Sequence, residues 1–84
     1  MTIDIIRNRL AFLKPISLDI EDESSLHRGH VGNTGGGHFN LVIISEIFEN
    51  KSTMERHRLV YSALKDLIPK TIHALSIKTL TPPK

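Results

Sequence analysis

The residues of this chain best suited to chemistry are its histidines, five in 84 residues. Three of them stand where a loop opens or a strand begins. His30 lies at the mouth of a glycine-rich segment, His38 starts the apolar run that follows, and His73 starts the last apolar run. Neutral imidazole is the commonest protein ligand for metal ions. If the two runs are parallel neighbouring strands, His38 and His73 share one end of the sheet, and His30 can swing onto the same edge. Spacing alone does not make this a metal site. There is no histidine pair at helical metal-binding spacing and no Cys/His pattern, so an ordinary surface or strand-end histidine is the default for each. His57 is a different case. It lies between Arg56 and Arg58, within the apolar arc of Met54, Tyr61, Leu64 and Ile68. That placement predicts a histidine packed against the sheet and hydrogen-bonded internally rather than a ligand.

Other chemistries find little support. The segment His30-Val31-Gly32-Asn33-Thr34-Gly35-Gly36-Gly37-His38 lacks the Gly-Lys-Ser/Thr of a phosphate-binding loop. It joins two strands, so no helix N-terminus is offered to a phosphate. Gly32-Asn33-Thr34-Gly35 matches the Gly-x-x-Gly clamp of KH domains, but there the clamp sits between helices; a flexible loop is the better reading. No Gly-x-Ser-x-Gly elbow occurs. The carboxylates between Asp19 and Glu23 read as a solvent face rather than a glycosidase pair. Cysteine is absent, which excludes disulfides, a thiol nucleophile and an iron–sulfur cluster held by this chain's own thiolates. The chain reads as a non-enzyme. Arg56, Arg58 and Lys65 flank the apolar arc, where they could meet phosphate, an acidic partner or only water; so few charges favour a solvated face.

The elements that position these residues follow from periodicity. Thr2 caps a helix starting at Ile3, whose stripe is Ile3, Ile6, Leu10 and Leu13. Asp4, Arg7, Asn8 and Arg9 face water, and Pro15 ends the helix. Ile16 to Glu21 alternates and predicts a half-buried edge strand. A long loop runs from about Asp22 to Gly37. Phe39 to Ser45 is apolar on both faces and predicts the central strand. Asn50 suits a left-handed turn. Ser52-Thr53-Met54-Glu55 is a capping box. The helix it opens runs to about Ile68, with Met54, Val60, Tyr61, Leu64, Leu67 and Ile68 as its core face, and Pro69 stops it. Ile72 to Thr79 is the last strand. The order is α-β-β-α-β. The first two strands form a wide antiparallel hairpin, and the right-handed β-α-β crossover makes the last two parallel. The fold expected is a two-layer α+β sandwich, a three-stranded mixed sheet with both helices on one face.

Composition sets the frame. Eighty-four residues predict one domain, spanning residues 1–84, and a chain this short hides only about 60–65% of the surface its unfolded form exposes. Hydrophobic residues are 39% and charged residues 24%, which is globular. The net charge of +2 does not imply a strong nucleic-acid field. No signal peptide or membrane span is recognisable, so a soluble cytoplasmic protein, monomeric or weakly dimeric, is expected.

Several segments together resemble the BolA family. They are His38-Phe39-Asn40-Leu41-Val42-Ile43-Ile44-Ser45, Phe48-Glu49-Asn50-Lys51, Arg56-His57-Arg58-Leu59-Val60-Tyr61, Ile72-His73-Ala74-Leu75 and Thr81-Pro82. The resemblance covers nearly the whole chain and implies an α-β-β-α-β fold like that of class II KH domains. It also implies a function: pairing with a monothiol glutaredoxin carrying a Cys-Gly-Phe-Ser motif. The pair holds a [2Fe–2S] cluster to which glutaredoxin and glutathione give thiolates and the BolA partner gives histidine. The isolated chain would then bind no cluster. The family's near-C-terminal ligand matches His73, and its loop Gly-His pair matches Gly29-His30, with His38 in reserve. Imidazole in place of thiolate would raise the cluster potential and make ligation sensitive to acid. The loop departs from several relatives in ending Gly35-Gly36-Gly37 where they have Ser and Glu. Some BolA proteins are described as DNA-binding transcriptional regulators; Arg56, Arg58, Lys65 and Lys70 would be the contacts in that alternative.

Overall fold

The computed structural model describes residues 2–23 and 37–83. The chain runs α1 (Thr2–Leu10), a 3-10 turn (Ala11–Leu13), β1 (Ser17–Asp22), β2 (Gly37–Ile44), a 3-10 turn (Glu46–Phe48), α2 (Thr53–Leu64), a 3-10 turn (Lys65–Leu67) and β3 (Ile72–Leu80). The sheet order is β1-β2-β3. β1 pairs antiparallel with β2, and β3 pairs parallel with it. The expected architecture, with β2 central and β1 at an edge, is the one observed.

α1 forms because Ile6 and Leu10 recur on one face, and both are fully buried. Thr2 lies inside the first turn rather than capping it. The Leu13 end of the stripe is carried by the 3-10 turn, and Lys14 closes that turn in a left-handed conformation, its N–H reaching Ala11 O at 3.0 Å. β1 begins one residue later than the alternation predicts. Ile16 stands ahead of the ladder and is largely exposed, whereas Leu18 and Ile20 pack against the core.

β2 supplies Phe39, Leu41 and Ile43 to the helices; its other face, His38, Asn40, Val42 and Ile44, is half-buried. The turn after β2 buries Phe48 completely, a core residue that lies outside the periodic apolar runs of the helices and strands. Asn50 has φ 62°, the left-handed turn expected of it.

α2 opens with the capping box. Ser52 Oγ accepts from the Glu55 N–H at 3.1 Å, and Glu55 Oε1 accepts from the Ser52 N–H at 2.8 Å. Its α-helical part ends at Leu64, short of Ile68, and tightens into a 3-10 turn that still turns Leu67 and Ile68 to the core. Val60 and Leu64 are buried, but Met54 is 64% and Tyr61 38% exposed. These two lie about 100° or more round the helix from Val60, on the flank beside β3, and so are not core. His57 sits at the rim of the buried arc. It is half-buried and, among the described residues, makes no hydrogen bond through its ring, so the internal bond expected for it is not formed.

Ion pairing ties the two helical segments. Arg9 holds Asp66 with two bonds of 2.6 and 2.8 Å and also donates to Ala63 O at 3.1 Å. Among the described residues, no helix is long and apolar enough to cross a membrane.

Candidate functional site

The parallel crossover puts the starts of β2 and β3 side by side. The pairing there is irregular: Gly37 faces Ile72, but His38 faces Ala74, so His73 is an extra residue in β3. A bulge of this kind re-aims one side chain. Ile72 turns into the core at full burial, and after the bulge Leu75 and Ile77 pack toward the helices again. His73 is left exposed beside His38. The two rings stand 5.1 Å apart, centroid to centroid, tilted by 48°. His38 is half-buried, with its Nε2 buried.

The backbone around this pair is firmly held. Gly37 N–H reaches Thr71 O at 3.1 Å, and Glu23 N–H reaches His38 O at 2.7 Å. Gly37 is also a steric requirement. A Cβ there would run into the Phe39 ring, which is itself core. In the sequence Gly37 looks only like the end of a flexible loop; its neighbour two residues on is what demands it. On the open face of the sheet a shallow pocket of about 220 Å³ adjoins the pair, lined by Glu23, His38, Asn40, Ala74 and Ser76 among others. No spacing in the sequence marks Glu23, Asn40 and Ser76 as lining one pocket. The signal for the bulge was in the sequence: the inward apolar positions shift parity between Ile72 and Leu75.

Two imidazoles at one strand end can supply nitrogen ligands to a borderline metal such as iron. Among the described residues no third His, Cys, Asp or Glu joins them to form a metal-binding cluster. Gly29 and His30, and the Gly32-Asn33-Thr34-Gly35 motif, lie outside the described residues.

The four basic residues divide. Arg56 is half-buried and committed to the fold: Nε donates to Lys51 O at 3.0 Å, Nη1 to Thr79 O at 3.3 Å, and the guanidinium lies 6.0 Å from the Phe48 ring centre. In place of the open contact expected of it, its Nε and Nη1 serve backbone carbonyls. Arg58, Lys65 and Lys70 are exposed. Arg58 and Lys65, seven residues apart, share one flank of the helical segment.

Comparison with known proteins agrees with this fold. The profile of the family described as BolA-like protein matches residues 10–84. The SufE-like protein 1, chloroplastic/mitochondrial, of Arabidopsis thaliana is 45% identical over 83% of this chain and 20% of its own length. Protein BOLA1, chloroplastic, of the same plant is 45% identical, with 46% of its length covered. The chain thus spans less than half of these two relatives. The DNA-binding transcriptional regulator BolA of Escherichia coli (strain K12) is 34% identical over 92% of this chain and 76% of its own. Among solved structures, BolA1 from Arabidopsis thaliana superposes with a TM-score of 0.80 at 41% identity, covering 94% of this chain and 89% of that one. Relatives named for plastids and mitochondria mean that kinship does not fix the cytoplasmic location expected from sequence. With the profile matched from residue 10 to the end and the fold superposing on BolA1, this chain belongs to the BolA family.

Proposed function

We propose that this protein is a non-enzymatic partner of a monothiol glutaredoxin and helps hold a [2Fe–2S] cluster through histidine. The observation that carries the reading is the His38–His73 pair, with His73 exposed on the bulge at one end of the sheet. His73 offers the accessible imidazole; the second is His30 or His38. The bulge fixes where His73 projects, and the ladder bonds at Gly37 and Glu23 fix the backbone behind it. The chain has no cysteine, so the sulfur ligands would come from glutaredoxin and glutathione. A cluster held in this way is suited to one-electron transfer or to onward delivery as cargo.

The test is a titration of [2Fe–2S] monothiol glutaredoxin with this protein, followed by visible absorption and circular dichroism, beside His73→Ala. A new one-to-one spectrum that the variant fails to give supports the reading. An unchanged spectrum with the wild-type protein rejects it.

A second reading is DNA binding, supported by the relatives named as DNA-binding transcriptional regulators and by the exposed Arg58, Lys65 and Lys70. Phosphate-driven binding weakens steeply with salt, and loss of one phosphate contact lowers the salt slope by about 1. Arg58→Gln should do so if this reading holds. Binding indifferent to salt rejects it.

A further inference from the structure

Helix side chains close both outer edges of the sheet. On β1, Arg7 Nη1 donates to Leu18 O at 3.2 Å. On β3, α2 sends two: Tyr61 Oη donates to Leu75 O at 3.2 Å, and Arg56 Nη1 donates to Thr79 O at 3.3 Å. Along an extended strand, successive residues turn their N–H and C=O to opposite sides. Ser45 N–H bonds Leu80 O, so Ala74, Ser76, Lys78 and Leu80 face β2. Leu75, Ile77 and Thr79 face outward. Their N–H groups donate to nothing among the described residues. The two capped carbonyls are placed symmetrically about Ile77.

That symmetry identifies what the caps exclude. If β3 paired antiparallel with β3 of a second copy, about a twofold axis at Ile77, Leu75 would face Thr79 of the copy and Ile77 would face itself. The ladder would need as acceptors the very carbonyls that Tyr61 and Arg56 occupy. β3 carries no proline, and Lys78 would face Ser76 of the copy rather than another lysine. An unblocked edge strand of nine residues is a template for such pairing.

We propose that the outer edge of β3 is a latent self-pairing surface for a second copy of this chain, held shut by Tyr61 and Arg56. This goes beyond the cluster reading and does not depend on it.

Tyr61→Phe removes one hydroxyl and tests the guard with least risk to the fold. Sedimentation across protein concentration should show self-association strengthened about thirty-fold, the effect of two net hydrogen bonds, one released in each copy. Adding Arg56→Gln should strengthen it further. The register is read by cross-linking, since the chain has no native cysteine. Tyr61→Phe chains carrying Ser76→Cys are mixed with Tyr61→Phe chains carrying Lys78→Cys. Positions 76 and 78 would then lie opposite each other with Cα atoms about 4.5 Å apart, within disulfide reach. Preferential mixed disulfide, faster than with Tyr61 intact, supports the proposal. A folded Tyr61→Phe that sediments like the wild type overturns it. So does cross-linking without register preference, or equal cross-linking with Tyr61 in place.

Discussion

The two ends of the β2–β3 pair are built in opposite ways. At the far end Ser45 and Arg56 are tied inward. Ser45 is fully buried; its Oγ donates to Leu13 O at 2.5 Å and accepts from the Ile47 N–H at 3.1 Å. Phe48 is buried beneath Arg56, which bridges Lys51 O and Thr79 O. At the near end the strands fall out of register by one residue, and the side chain so released, His73, points to solvent. A buried polar group must find partners within the protein; an exposed imidazole has no such demand and is free to meet another molecule. The far end holds the fold, and the near end presents an exposed imidazole.

The comparison is broken most strongly at the far end. Phe48→Ala removes a fully buried aromatic ring and should cost about 3–5 kcal/mol. Urea denaturation followed by circular dichroism would measure it. A loss under about 1 kcal/mol would show that this end is not where stability is concentrated.

Much of this division was legible beforehand, and its exceptions have local causes. The capping box, the left-handed Asn50 and the central strand each carry their own signal, because the chemistry involved is local. The meeting of His38 and His73 followed from topology: a right-handed crossover must bring the starts of the two strands together. What periodicity missed was tertiary. Met54 and Tyr61 look like core positions by spacing, but the sheet beneath α2 has only three strands, and its edge lies under that flank. Arg56 reads as an open cation by type, yet its reach to Thr79 O depends on where β3 ends. Gly37 reads as loop, yet the Phe39 ring needs the space. No single-residue propensity encodes such contacts.

At the near end, two substitutions one strand apart should behave differently. Gly37→Ala forces a methyl group against the Phe39 ring and should cost about 1–3 kcal/mol. It also strains the bulge that aims His73, so the spectral response with [2Fe–2S] glutaredoxin should weaken with it. His73→Ala alters an exposed side chain and should change stability by no more than about 0.5 kcal/mol, while abolishing that response. The two denaturation midpoints, measured side by side, decide the matter. If His73→Ala destabilises as much as Gly37→Ala, the near end is structural after all.

The smallest effect belongs to neither end and serves as their control. Arg9 holds the Asp66 carboxyl below its ordinary value of 3.8, chiefly through the side-chain hydrogen bond. Glu55 is held below 4.5, chiefly by the backbone N–H of Ser52. A carboxyl depressed in the folded state adds stability that is present in full above its unfolded value and lost as pH falls through its folded one. Stability should therefore hold nearly level from pH 7 to about 5 on account of these two groups, then decline below about 4.5 as both protonate. Both sites are exposed, so the slope should be shallow and, for the ion pair, flattened by salt. Asp66→Asn should remove the salt-sensitive part and leave the Glu55 part. Urea midpoints at half-unit pH steps, with and without molar salt, would show it. A decline already complete between pH 7 and 5 would assign the acid response to other groups.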